Sequence, residues 1–412
     1  MALGERSHFF VSQSCHVPAF ERDGMTMTKS ATEERVETSS RRGLPRALLV
    51  LVRICAWAAS VPYALVVVLV MTGPPTWSAV AYLAGLGVLL WGLMTLPGGE
   101  GRRRALGIPR PRGLARGAAL SLVAVVLVRG CTGREGESLS FVPDARLVDR
   151  VLDEKDVAVA GTRVLVAGGI LRDDAAELPS AMRAAYARMH AEEGDAPSPV
   201  LATYLGMQSP SAFDLLVFDS RSAGTSRGAV VFLHGYAGNF ALPCWQMARA
   251  VAPLGVTTAC PSTRWVGAWW SRDGEATLRR TLDALRARGI TRFVLAGLSN
   301  GGYGASRLAP NMQGSFAGLI LISGASLDAK AAGVPTLVIH GRHDTMAGFG
   351  EATSYSARTG ARLVALDAGH FAMLVRAEAS DAAVRAFVGS VLGAPAAGDG
   401  RVGKTPTSGR HR

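Results

Sequence analysis

The stretch GLSNGG, residues 297–302, sets a serine between glycines in the pattern G-x-S-x-G. A serine hydroxyl attacks a carbonyl only when a base takes its proton, so the pattern has meaning only beside a histidine and an acid that orients it. Histidines and acids recur in short clusters around it: HGYAGN at 234–239, HGRHD at 340–344 and AGHF at 368–371. A second match, GTSRG at 224–228, competes for the same role. A nucleophile on a strained turn needs a strand before it and a helix after it. GTSRG follows the polar run DSRS and precedes a strand, which makes it a loop. GLSNGG follows RFVLA and opens a helix, so Ser299 is the candidate nucleophile. Gly297 and Gly301 remove side chains where strand and helix come closest.

The elements that must hold this serine form a regular series. FDLLVFDS, AVVFLHG (229–235), VTTAC, RFVLAGLS, GLILIS and PTLVIHG read as strands, several of them the unbroken apolar runs of strands buried on both faces. CWQMARAVAPLG (244–255), EATLRRTLDALRARG (275–289) and DAAVRAFVGSVLG (381–393) have helical spacing. The alternation predicts an α/β fold over residues 213–393, a doubly wound, mostly parallel sheet. The remainder, 394–412, is rich in Gly, Pro and Arg and is expected to be a disordered tail.

On HGYAGN, GLSNGG, HGRHD and AGHF, in that order along 213–393, the chain resembles the α/β-hydrolase superfamily, nearest in flavour to its lidless carboxylesterases and thioesterases. The resemblance implies the chain order serine, acid, histidine. His370, in a short loop after RLVALD, is the implied base, and Asp344, after VIHGRH, the acid that holds its tautomer. Asp328, after the preceding strand, is the rival acid, and Asp367 lies too close in sequence to His370. The backbone N–H groups of Tyr236 and Asn300 are the implied oxyanion hole. His234 reads as a structural turn residue. His340, His343 and Asp344 lack a third well-spaced partner for a metal, and no cofactor is expected. Few residues separate GLILIS from PTLVIHG, too few for an inserted lid, so an open mouth is expected. Trp265, Trp269 and Trp270 in TRWVGAWW leave two readings open: packing against the next helix, or a wall for a substrate group or the bilayer interface.

Composition adds a membrane. Only 18% of the 412 residues are charged. Ile54–Met71 and Trp77–Leu96 carry no charge and approach the length that crosses a bilayer. Gly117–Val128 reaches that length only with Gly113–Arg116. Residues 46–130 are therefore read as an all-helical transmembrane region of two or three helices, preceded by a disordered segment, 1–45. Arginines at 41, 42 and 46, and again at 102–104, 110, 112 and 116, flank these runs. Positive flanks stay cytoplasmic, which puts everything after a third crossing outside the cytoplasm. The net charge of +12 has this origin, and with no zinc-finger spacing or aromatic-interleaved basic stretch, nucleic acid is not an expected partner.

Residues 131–212 read as a linker or accessory region without chemistry, with a strand at GTRVLVAGG (161–169) and an amphipathic helix at 178–193. The chain holds five cysteines and no C-x-x-C. Cys244 and Cys260 fall at one edge of the sheet, so a disulfide between them is compatible with an oxidising compartment. The functional expectation is a membrane-anchored serine hydrolase acting on a small-molecule or lipid acyl ester, thioester or amide at the cell membrane. The alternative is a non-catalytic, membrane-tethered module of the same fold.

Overall fold

The computed structural model describes residues 46–95, 111–132, 136–220, 226 and 228–393. The segments 1–45 and 394–412, most of the arginine-rich connection and most of GTSRG lie outside the described residues. Three N-terminal helices come first: α1 (Arg46–Met71), α2 (Trp77–Met94) and α3 (Pro111–Thr132). Each is long and apolar enough to cross a membrane, the third included. Tyr63 of α1 donates to the Leu83 carbonyl of α2 at 2.7 Å, and a side chain at Gly85 would strike Leu122 of α3. Small residues such as Gly85 thus let the helices approach closely.

The remainder is built on one eight-stranded sheet. Its strands are β1 (Leu139–Val142), β2 (Leu215–Phe218), β3 (Ala229–Leu233), β4 (Thr257–Pro261), β5 (Phe293–Leu298), β6 (Gly318–Ile322), β7 (Thr336–Gly341) and β8 (Arg362–Leu366). They lie in the order β1-β2-β4-β3-β5-β6-β7-β8. β1 and β2 are antiparallel to their neighbours, and β4 through β8 are parallel. The two-residue period of each strand divides the core. Val230, Phe232, Val294, Ala296 and Ile320 face α8 (Ala241–Val251) and α12 (Ala377–Leu392). Val231, Leu233, Leu295, Leu319 and Leu321 face α9 (Arg272–Ala287), α10 (Asn300–Leu308) and α11 (Phe349–Thr359). Burial on both faces, at about 1.5–3 kcal/mol per large aliphatic side chain, explains why these strands read as continuous apolar runs.

Residues 136–212 depart most from expectation. They supply β1 and four helices: α4 (Leu147–Arg150), α5 (Glu154–Ala167), α6 (Leu178–Glu193) and α7 (Val200–Tyr204). The strand expected at 161–169 is the C-terminal half of α5. Asp153 starts that helix by accepting from Lys155 N at 2.9 Å, and acidic residues fill its first turn. The valines and leucine that suggested a strand are distributed around a helix packed on two opposite sides. Of the two readings, linker or accessory region, the packing fits the second: this segment is fastened to the sheet by Glu154, buried beneath α8. Glu154 accepts from Ala241 N (2.7 Å), Leu242 N (2.9 Å), Ser198 Oγ (2.6 Å) and Tyr186 Oη (3.1 Å). Burial raises its pKa, and these four hydrogen bonds pull the other way.

The three apolar helices dock on the same segment. Arg163 of α5 donates to the carbonyls of Leu69 (3.0 Å) and Thr72 (2.9 Å) at the end of α1. Asp156 accepts from Thr76 Oγ1 at 2.5 Å, at the start of α2. Tyr82 donates to Val151 O at 2.9 Å. Arg129, at the end of α3, is buried and bonds Asp195 at 2.8 Å. The end of α1, the start of α2 and the end of α3 therefore share one side, against the α/β unit.

Candidate active site

The site begins at the turn between β5 and α10. Ser299 has φ 53° and ψ −119°, a conformation that L-residues other than glycine rarely hold. It persists because the surroundings fix it: Ser299 N donates to Ile322 O at 2.8 Å and its carbonyl accepts from Tyr303 N at 3.0 Å. A Cβ at Gly297 would run into the Gly301 backbone, and one at Gly301 into the Leu233 carbonyl. Only glycines let strand, turn and helix close this tightly. Across the turn, a Cβ at Gly235 would touch that of Ser299 at 3.0 Å, which brings the HGYAGN loop beside the serine. The serine is half-buried, and its Oγ makes no hydrogen bond among the described residues.

Two further strand ends bring an acid and a base together. Asp344 follows β7 and His370 follows β8. His370 Nδ1 lies 2.9 Å from Asp344 Oδ2 and 3.1 Å from Oδ1. His370 Nε2 makes no bond among the described residues. Burial pushes the Asp344 pKa upward, but bonds from His340, His370 and Ala347 N outweigh it and hold the carboxyl well below its usual range. It is therefore an anion at neutral pH. The rival, Asp328, is spent at the surface on Arg307 and Ser326, and Asp367 pairs with exposed His343 at 2.9 Å.

Ser299 and His370 line one cavity of about 270 Å³. Its polar residues, His234 and Gln246 among them, are few, and the rest of the wall is apolar: Leu165, Met182, Phe232, Leu242, Leu298, Phe371 and Met373. The backbone N–H groups of Tyr236 and Asn300 make no hydrogen bond among the described residues. Tyr236 itself lines the cavity, and Asn300 directly follows the cavity-lining Ser299. Asn300 Nδ2 donates to Val266 O at 2.7 Å and ties the tryptophan loop to the serine turn.

The strand order, with the antiparallel pair at one edge and a strained serine after the fifth strand, decides the architecture. This is an α/β-hydrolase fold. Solved structures similar to it include an esterase of Pyrococcus furiosus, with 16% identity, covering 45% of this chain and 89% of that one at a TM-score of 0.38. They also include Est1E from Butyrivibrio proteoclasticus, with 14% identity, 44% and 96% coverage and a TM-score of 0.38. An α/β serine hydrolase homologue from Coxiella burnetii aligns at 19% identity, 43% and 94% coverage and a TM-score of 0.34. No family model and no curated protein matches the chain.

Within this hydrolase fold the tryptophans do not form one wall. Trp269 is fully buried, donates to His234 O at 2.9 Å and packs against Gly304, so it braces the loop from behind. Trp270 lies on Arg307. Trp265 is half-exposed and meets the ring of Tyr236 edge-on at 5.0 Å. His234 has the structural role expected of it. Its Nδ1 donates to Gly235 O at 2.7 Å, Nε2 accepts from Thr263 N at 3.1 Å, and burial pushes its pKa down to about 4. Cys244 and Cys260 form a disulfide, with Cα atoms 6.2 Å apart.

Three features of the site had no assigned role in the sequence reading. Asp174, buried, accepts from Gly369 N at 2.7 Å and Phe371 N at 3.1 Å, the amides on either side of His370. His340, considered above only as a metal ligand, lies fully buried with Nε2 3.2 Å from Asp344 Oδ2 and backs the acid. The cavity wall from α5, α6 and α7 (Ala158, Gly161, Leu165, Met182, Tyr186 and Tyr204) corrects the open mouth. The cover comes from before β2, not from an insertion after β6. Only Asp174 carried a readable signal, as an acid in a short polar run, LRDDAAE, and nothing local tied it to His370.

Proposed function

We propose that the chain is a membrane-anchored serine hydrolase that cleaves carboxylic esters through an acyl-enzyme on Ser299. The observation that carries the reading is one cavity lined by a strained serine and by a histidine whose Nδ1 is held by a buried, anionic aspartate. Ser299 Oγ attacks the ester carbonyl while His370 Nε2 takes its proton. Asp344 keeps Nδ1 protonated and stabilises the imidazolium that forms. The oxyanion is met by the N–H groups of Tyr236 and Asn300. The intermediate collapses as His370 hands the proton to the leaving alcohol, and water then releases the acid by the same steps in reverse roles. A thioester enters this scheme unchanged, and an amide demands more of the acid step.

We further read the hydrolase domain as extracytoplasmic. An odd number of crossings puts it opposite the N-terminus, the arginine flanks favour a cytoplasmic N-terminus, and a disulfide favours an oxidising compartment. The decisive experiment is labelling of the full chain by a fluorophosphonate probe. Wild type is expected to label and Ser299→Ala to lose both label and esterase activity. A serine variant that still labels at the wild-type rate would remove the assignment.

A further inference from the structure

Helix α5 has two working faces. Asp156, Val159, Ala160 and Arg163 lie along one side, where the polar pair bonds Thr76, Leu69 and Thr72 of the membrane hairpin. Val157, Ala158, Gly161, Thr162 and Leu165 lie along the opposite side and line the cavity that holds Ser299. Helical periodicity of 3.6 residues makes these two stripes opposite faces of a single rod. The cavity is thus about one helix diameter, roughly 10 Å, from the ends of the bilayer-crossing helices. The other flank agrees. α7 packs on α4, and Leu147 of α4 meets α3 at Gly130.

The cavity's lining narrows its occupant. At about 270 Å³ it falls just under the range of small-molecule pockets, roughly 300–1,000 Å³. Its wall beyond Ser299 and His370 is mostly apolar, Met182, Met373 and Leu165 included, with His234 and Gln246 among its few polar groups. Its rim is apolar too: Tyr204, Tyr236 and Met346 line the cavity and are 46%, 56% and 46% exposed, and Leu205 beside them is 63% exposed. Exposed side chains of this kind, clustered at a cavity mouth, mark an apolar partner.

We propose, building on the serine-hydrolase reading, that the substrate is an acyl ester of a bilayer lipid, and that its acyl chain lies in the cavity along the inner face of α5. The ester carbonyl then stops at Ser299 while the rim contacts the lipid surface. Gly161 is the position that tests this. Gly161 lines the cavity and a Cβ there meets nothing within 4 Å, so Gly161→Leu adds bulk at the cavity wall with room for its first carbon, and leucine also suits a helix better than glycine.

The experiment uses the full chain in dioleoyl-phosphatidylcholine vesicles, with p-nitrophenyl acetate and p-nitrophenyl palmitate as probes. Wild type is expected to favour palmitate in kcat/KM by about tenfold or more, and Gly161→Leu to lose at least about tenfold more activity on palmitate than on acetate. The palmitate rate should follow the mole fraction of the ester in the vesicle. Fluorophosphonate labelling with a preference for acetate, or equal losses on both esters in Gly161→Leu, would overturn the lipid assignment while leaving the hydrolase. A palmitate rate set by bulk concentration would do the same. Absence of labelling and of all ester cleavage would instead bring down the hydrolase reading, and this proposal with it.

Discussion

Residues 136–212 and residues 228–393 contribute to the same cavity, yet they record it in different ways. The second stretch carries its part in motifs: serine, acid and histidine each follow a strand, and the first two of those strands read plainly as strands. The first carries its part in packing. Asp174 reaches the amides around His370 across 195 and 197 positions of sequence, and Glu154 reaches the start of α8 across 87 and 88. Residues that react are marked by their local turn. Residues that hold those turns in place are marked only by what lies next to them in space.

Four substitutions would break or sharpen this contrast, from the largest effect down. Asp344→Asn removes the anion that orients His370 and should lower kcat about ten-thousandfold with the fold intact, checked by ester kinetics alongside circular dichroism. Were Asp328 the working acid, its replacement and not this one would have that effect. Next comes pH. His234 is neutral in the fold with its pKa pushed down to about 4, while an unfolded histidine titrates near 6.5. The unfolded chain therefore binds the extra proton between these values, so stability falls as pH drops from about 6.5 to about 4, by up to about 3 kcal/mol. Thermal unfolding across that window should show the decline, and His234→Asn should flatten its slope while lowering the whole curve.

The remaining two concern the earlier stretch. Asp174→Ala frees the two amides flanking His370. It should cost about ten- to a hundredfold in kcat with KM little changed, because a misplaced base slows the chemistry more than binding. If 136–212 were only a linker, kcat would not move. Glu154→Gln replaces an oxygen that accepts from the start of α8 by a donor. It should cost about 1–3 kcal/mol of stability, read as a lower melting temperature, with a smaller effect on turnover.

The fold was legible where burial on both faces made strands into apolar runs, as in AVVFL and GLILI, and where strand-turn-helix context singled out Ser299. It was not legible where strands or helices take their character from neighbours. β1 is a four-residue edge strand, LSFV, too short to stand out. The run TRVLV in α5 has β-branched residues and reads as a strand, but a helix there satisfies both the hairpin and the cavity. Trp269 looked like part of a surface cluster, and its indole N–H instead found a carbonyl inside the loop. His340 showed its relation to Asp344 only once both were buried together.

Helix α5 grips the hairpin with one side and walls the cavity with the other. On the membrane-anchored, lipid-ester reading proposed above, a domain fastened this way would search a plane and not a volume. Its turnover would then answer to how crowded the leaflet is with the right molecule, and dilution of the surrounding water would leave that quantity untouched.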